Sequence, residues 1–297
     1  MIQPSTKKRI VVGLLADDQE FQRLQGDDAR VAGKRHGFDV EVLYAANNAV
    51  AQIQQLFKYI KGPAEERPAA IIVETVVGEG LERVARSAAA AGIGWILINR
   101  RVSYLEALRR EYPNLPVSVV STDQVEVGRI QARQFRAIIK SGRGSVLYIQ
   151  GPSDTSAARE RLQGAREGLS GSNITLSILD GSWTESSGEH AIQRWLRTKS
   201  SGNARPDVIG CQNDGMAIGA RRALAAASSP ELASLVLTGC DGLRDGGQRL
   251  VNMRHLAATV VTPSNTGPAM DLVARMLKTR QAPAAEVMLK PISYPTM

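Results

Sequence analysis

Gly144-Ser-Val-Leu-Tyr-Ile-Gln-Gly-Pro-Ser-Asp-Thr-Ser-Ala-Ala-Arg-Glu-Arg-Leu-Gln-Gly-Ala-Arg-Glu-Gly-Leu169 contains an apolar, β-rich run, Val146 to Ile149, that stops at Gly151-Pro152. A Ser/Thr-rich corner follows and opens an amphipathic helix that carries Arg159 and Arg161 in its first turns. A strand that hands the chain straight to a helix in this way belongs to a parallel sheet. In open α/β sheets ligands bind at the carboxyl edge of the strands, so an arginine at the start of this helix is a candidate ligand group. Arg159 is the one expected there, with a buried guanidinium.

The same alternation runs along the rest of the chain. Strands are expected at 9–15, 39–44, 70–74, 94–99 and 117–121, with helices at 22–36, 49–60 and 80–91 between them. After a helix at 124–140 the series repeats, with strands at 145–150, 175–180, 208–211, 235–239 and 257–261, helices at 156–168, 187–198 and 215–227, and a long helix at 264–279. Such βαβ winding buries a parallel sheet on both faces. The expected fold class is α/β: two similar doubly wound parallel-sheet lobes joined by a three-segment hinge, the crossings near Ser121, Val261 and Ala284. One lobe then comprises 1–121 with 264–284, the other 122–263 with 285–297. A length of 297 residues suits two cores better than one. Ser186-x-x-Glu189 has the capping-box pattern, and Asp214 stands where it would cap the helix beginning near Met216, either as a cap only or as a residue that also helps to shape the ligand pocket.

Composition narrows the function classes. No apolar run approaches the roughly 18 residues that span a bilayer. A basic amino terminus passes into the first strand without the apolar core and cleavage site of a secretory signal, so the chain is expected to be a mature periplasmic form or, if Met1 is the native start, cytoplasmic. The formal charge of +8 permits a nucleic-acid partner, but the cations are scattered along helices and aromatics make up only 4%, so no nucleic acid is expected. Cys211 and Cys240, the two cysteines, show no metal-ligand spacing and are expected as buried free thiols. The sequence has no P-loop, nucleophile elbow or HExxH pattern, and Ser141-Gly-Arg-Gly-Ser145 precedes a strand rather than following one. His36, His190 and His255 sit in separate contexts. The expectation is a binding protein without catalytic residues, metal or cofactor.

What remains is a set of polar residues at strand ends: Glu74, Asn99, Arg100, Asp123, Gln212, Asn213, Asp214, Asp241 and Thr262, with Arg159 added from the helix start. Sugar hydroxyls both donate and accept, so a dry sugar site needs planar bidentate partners of this kind. Phe21 and Trp183, each in or beside a turn after a strand, are candidate aromatic platforms for an apolar sugar face.

Thr155-Ser-Ala-Ala-Arg-Glu-Arg161, Pro206-Asp-Val-Ile-Gly-Cys-Gln-Asn-Asp-Gly-Met-Ala-Ile-Gly-Ala220, the Gly239-Cys-Asp-Gly242 turn and Leu256-Ala-Ala-Thr-Val260 together resemble periplasmic ribose-type sugar-binding proteins. These are the solute receptors of ABC importers, and they share their fold with LacI-family effector domains. The resemblance implies sugar contacts from Gln19, Phe21 and Arg100 in the first lobe and from Arg159, Asn213 and Asp241 in the second, with Trp183 against the sugar ring. It also implies a monomer, with an ABC permease or a membrane sensor as partner. Asn99 stands where relatives commonly carry Asp, Glu74 where ribose receptors have Asn, and Thr262 in place of a common Gln. Fewer acidic acceptors beside Arg100 and Arg159 would favour a modified or acidic sugar. A LacI-type regulator, or a receptor feeding a kinase or chemoreceptor, is the alternative; with the first strand beginning at residue 9, it is expected to lack a DNA-binding domain of its own.

Overall fold

The computed structural model describes residues 7–199, 205–227 and 229–297. Contacts divide the chain into two units, Met1–Ser121 with Ser264–Leu289, and Thr122–Pro263 with Lys290–Met297. The first holds β1 (Arg9–Leu14), α1 (Glu20–His36), β2 (Asp39–Tyr44), α2 (Ala49–Ile60), β3 (Ala70–Val73), α3 (Glu82–Ala90), β4 (Gly94–Ile98), α4 (Leu105–Glu111) and β5 (Val117–Thr122). The second holds α5 (Gln124–Ile139), β6 (Arg143–Gln150), α6 (Ser156–Leu169), β7 (Asn173–Asp180), α7 (Glu185–Lys199), β8 (Val208–Cys211), α8 (Asp214–Ala226), α9 (Pro230–Ala233), β9 (Val236–Thr238), α10 (Arg249–Asn252) and β10 (Thr259–Val261). The chain then returns to the first unit for α11 (Thr266–Thr279) and β11 (Glu286–Leu289), and ends in the second with β12 (Ile292–Tyr294).

The first sheet runs β11-β5-β4-β3-β1-β2 and the second β7-β6-β8-β9, while β12 pairs antiparallel with β10. Each therefore has the strand order second, first, third, fourth, with parallel neighbours along that run. Strand order reverses beside the first strand of each series, which puts the switch point at the carboxyl ends of β1 and β3 in one unit and of β6 and β8 in the other.

Side chains of successive strand residues point to opposite faces, and both faces are covered. In the first unit Val11, Ile71, Val73, Trp95 and Leu97 pack with α2, α3 and α4, whereas Ile10, Val12, Ile72, Ile96 and Ile98 pack with α1 and α11. In the second, Leu147, Ile149 and Ile209 face α7 and α8, and Val146, Tyr148 and Val208 face α5 and α6. Both helix pairs of the second unit cross backbone to backbone over glycine. An added Cβ at Gly164 would stand 1.9 Å from the Val125 carbonyl oxygen, and one at Gly219 would stand 1.8 Å from that of Glu185.

Three expectations need correction. The last crossing lies at Leu289–Lys290 rather than near Ala284. β11, which sequence patterning missed, lines the edge of β5, with Val119 N–H donating to the Ala285 carbonyl at 3.1 Å and Ser118 Oγ to that of Ala284 at 2.8 Å. The capping box at Ser186 does not form. Thr184 Oγ1 accepts the Ser187 N–H at 3.2 Å, and Glu185 and Glu189 instead take Arg222 at 2.6 and 3.1 Å. Nor is Asp214 the cap of α8, since Asn213 Oδ1 accepts the Met216 N–H at 2.8 Å.

Both cysteines are buried and free. They lie in different clusters, Cys211 with the α7/α8 face and Cys240 with Val127, Ile130 and Val260. Burial pushes both thiols up, Cys240 to about 12, so the reactive thiolate is scarce at neutral pH. A disulfide reagent at pH 8 is expected to modify neither thiol in the native protein and both in denaturant; rapid native labelling would contradict the packing.

A depression of about 970 Å³, bordered by Lys7, Lys8, Arg275 and Lys278 and by the His36–Asp271 pair at 2.6 Å, lies where β1 begins and α1 and α11 end. Cations there complement the negative ends of two helix dipoles. It is at the amino edge of the sheet, away from the switch point.

Candidate functional site

At the carboxyl edge of the first sheet, Glu74 is the first residue beyond β3 and is only 1% exposed. Its Oε2 accepts from Gln22 Nε2 at 2.9 Å, and Gln22 Oε1 in turn accepts the Leu15 N–H at 3.0 Å, which fixes the turn after β1. Its Oε1 accepts from Asn99 Nδ2 at 2.9 Å and lies 3.4 Å from Arg100 Nε. Arg100, 3% exposed, also donates through NH1 to the carbonyls of Thr75 and Val76. Gln52 ties the same loop down by donating to the Glu74 carbonyl at 2.8 Å and accepting the Val76 N–H at 3.0 Å. A buried guanidinium and carboxylate are tolerable together because their opposite charges offset part of the cost of burial, and Gln22, Asn99 and the Thr75 and Val76 carbonyls supply hydrogen bonds to the pair. Gln19 occupies the N-cap position of α1 without capping it, its Nε2 buried and unpartnered among the described residues, and Phe21 is half-buried one position inside the helix.

The second unit builds its edge around another arginine. Thr155 caps α6, its Oγ1 accepting the Ala158 N–H and donating to the Pro152 carbonyl at 2.8 Å. Arg161, 4% exposed, donates from Nε to Gln124 Oε1 at 2.7 Å and from NH1 to the Gln212 carbonyl, and its guanidinium lies 5.4 Å from the Trp183 ring centre. Gln212 accepts the Gly151 N–H at 2.9 Å and donates to the Ala158 carbonyl at 3.0 Å. Trp183 sits against Gly151, where an added Cβ would stand 2.1 Å from the indole, so the Gly-Pro turn is glycine because the ring occupies the space. Asn213 caps α8 with Oδ1 and holds the Trp183 carbonyl with Nδ2 at 2.8 Å, clamping a tryptophan with a φ of 67°. Asp214 Oδ2 accepts the Gly242 N–H and its Oδ1 the Thr259 hydroxyl, both at 2.8 Å, which fixes the turn that carries Asp241. Thr262 is buried, and its N–H donates to the Asp241 carbonyl at 3.0 Å.

The two edges are duplicates in register. Val73 pairs with Leu97 in one sheet, and Gly210 with Thr238 in the other. Continuing each ladder puts Glu74 and Gln212 at one equivalent position and Asn99 and Asp241 at another. Asn99 and Asp241 both have positive φ, 63° and 105°, a conformation that Asn and Asp adopt more readily than other side-chain-bearing residues.

Of the expected second-lobe residues, the structure brings Trp183, Asn213, Asp241 and Thr262 to the carboxyl edge of that sheet; of the first-lobe residues, Gln19, Phe21, Glu74, Asn99 and Arg100 lie at the corresponding edge. Arg159 is the exception. It is exposed and donates to the Ser153 carbonyl at 3.2 Å, so the buried guanidinium is that of Arg161. Helical spacing carried the signal: Ala157, Ala158, Arg161, Gly164 and Ala165 form one buried stripe at intervals of three and four, and Arg159 lies off it. Asp123 caps α5 through the Glu126 N–H at 2.9 Å. The implied shortage of acid near Arg100 is also corrected, because Glu74 supplies from β3 the carboxylate that Asn99 lacks on β4. Gln22 and Gln124, which help to order the two edges, have no sequence signature apart from this packing, whereas Gln212 stood out as a polar residue at a strand end. Among the described residues no cluster of three His, Cys, Asp or Glu side chains is placed to hold a metal ion, and no helix is long and apolar enough to cross a membrane.

Comparison with known proteins gives the same architecture. The family described as periplasmic binding protein domain matches residues 10–278. The ribose import binding protein of Escherichia coli is 28% identical over 241 residues, 79% of this chain and 72% of that protein. A relative from Rhizobium meliloti is 27% identical over 213 residues, which is 70% of this chain and 64% of its own length. The arabinose-bound periplasmic component of an ABC transporter from Shewanella sp. ANA-3 superposes with a TM-score of 0.83 at 19% identity, covering 96% of this chain and 92% of that one. Two parallel-sheet units of one strand order, linked by three crossings, are the type I periplasmic binding protein fold, and this chain belongs to the periplasmic binding protein family.

Proposed function

We propose that this protein is a solute receptor that closes on a sugar or sugar-like polyol between the carboxyl edges of its two sheets and presents it to an ABC importer in the periplasm. The observation that carries this is the duplicated edge, on which each unit sets one buried, pre-aimed arginine beside amide and carboxylate groups. Gln19, Phe21, Asn99 and Arg100 would hold the ligand from the first unit and Arg161, Asn213, Asp241 and Thr262 from the second. Guanidinium and amide N–H groups donate to hydroxyl oxygens, and carboxylate and amide oxygens accept the hydroxyl protons. A ligand bound by both units stabilises the closed state by its differential affinity for it, and the three crossings are the hinge. Relatives that import ribose or are bound to arabinose support the same ligand chemistry.

Titration calorimetry and thermal shift over ribose, arabinose, galactose, fructose and myo-inositol test the proposal. Ligand at 100 times its Kd is expected to add about 2.7 kcal/mol to native stability. Absence of binding across the panel would overturn it. Because the Arg161 guanidinium lies over the Trp183 indole, a ligand that engages Arg161 changes the field at the ring. A ligand-dependent change in tryptophan fluorescence is therefore expected, lost in Trp183→Phe while binding weakens by less than about tenfold, since a phenyl ring keeps most of the cation–π contact. A full signal in Trp183→Phe would remove this indole from the site.

A further inference from the structure

Glu74 would be taken for a ligand group from its place at a strand end, yet its carboxylate is already committed. Oε2 is held by Gln22 and Oε1 by Asn99 and Arg100, at 2.9, 2.9 and 3.4 Å, with 1% of the residue exposed. We propose that Glu74 does not touch the ligand: it is a positioning residue that neutralises and aims Arg100, and it thereby makes the site discriminate against anionic sugars. The proposal rests on the receptor function above and deepens it by naming the charge class of the ligand.

The physical basis is the balance of buried charge. Among the described residues, the buried side chains of carboxylate or guanidinium type at the two carboxyl edges are Glu74, Arg100, Arg161 and Asp214, two of each sign. With Glu74 against it, the Arg100 guanidinium offers directed N–H donors without a net charge to give, which suits hydroxyl oxygens. A sugar carboxylate arriving there would meet Glu74 in a poorly screened environment, where like charges repel strongly. Arg100 is also aimed from three sides, by Glu74 and by the Thr75 and Val76 carbonyls, and the Gln22 and Gln52 contacts hold those partners in place.

The experiment has one arm that needs no ligand and one that does. Urea denaturation of wild type, Glu74→Gln, Arg100→Met and the double variant measures the coupling of the pair. Each single variant is expected to lower the folding equilibrium constant roughly a hundredfold or more, because one buried charge is left without its partner, and the double variant is expected to recover most of that loss. Independent, additive effects would overturn the pairing. In the second arm, wild type and Glu74→Gln are titrated with D-galactose and D-galacturonate and with D-ribose and D-ribonate, two pairs that differ in an acid group. Wild type is expected to prefer the neutral member. Glu74→Gln, folded at low temperature, is expected to shift the acid-to-neutral affinity ratio at least tenfold toward the acid, on the order of one lost charge repulsion. A merely structural role would weaken both members equally and leave the ratio unchanged, which would sink the proposal. A wild type that prefers the acid would sink it while leaving the receptor function standing, and a wild type that binds neither class would sink both.

Discussion

Arg161→Met is expected to abolish sugar binding, whereas Arg159→Met leaves it within about threefold. Arg161 reaches Gln124 and the Gln212 carbonyl from a position 4% exposed, and it stacks over Trp183. The nitrogen it has to spare would give the ligand charge-assisted hydrogen bonds of about 1.5–3 kcal/mol each, so losing two costs at least a hundredfold in affinity. Methionine keeps the stem's packing but leaves the Gln124 oxygen and the Gln212 carbonyl short of a donor, at roughly 1–3 kcal/mol of stability. Calorimetry of the two variants side by side decides the matter. Arg159 is exposed and donates to a carbonyl of the turn before its helix, and a large effect there together with a small one at Arg161 would reverse the assignment.

Gly164→Val is expected to be strongly destabilising to the second unit. An added Cβ at this position would stand 1.9 Å from the Val125 carbonyl oxygen and 3.0 Å from the Arg129 nitrogen, both backbone atoms of α5 that have no rotamer to escape into. The facing position is equally tight, with a Cβ at Gly128 falling 2.0 Å from the Arg161 carbonyl oxygen. The helices would have to separate, opening the Ala132, Phe135 and Ala165 cluster between them. Overpacking of this kind costs about 3 kcal/mol or more, a fall in Tm of roughly 6–12 °C for a domain of this size. Since α6 also carries Arg161, affinity should fall in the protein that remains folded. A Tm within 2 °C of wild type would show that the two helices are not in backbone contact.

Sequence patterning was a sound guide to the strands and helices because strands buried on both faces, such as β3 and β4, read as continuous apolar runs, and helices such as α5 and α6 bury one face with a period of 3.6. It failed for α4, β11 and β12. These are short, and β11 exists because the edge of β5 offers unpaired backbone groups to whatever segment passes it. Site residues divide in the same way. Asn99 and Asp241 were apparent as polar residues after apolar runs, but their equivalence, which rests on sheet register, and the positive φ they share are visible only in the tertiary structure.

The amino-acid sequence alone determined the α/β class, the repetition of one winding in two series, and the family, since these follow from local hydrophobic period and contiguous motifs. Helical spacing marked Arg161 and not Arg159 as lying on the small-residue stripe of α6, and tertiary structure decided that this stripe is the buried one, because the α5 crossing at Gly128 and Gly164 selects the face of α6 that turns inward. Tertiary structure alone put the Glu74 carboxylate against Arg100. That contact depends on β3 and β4 lying side by side, so that side chains 26 residues apart in sequence come within 3.4 Å, and no local pattern encodes a distance across a sheet.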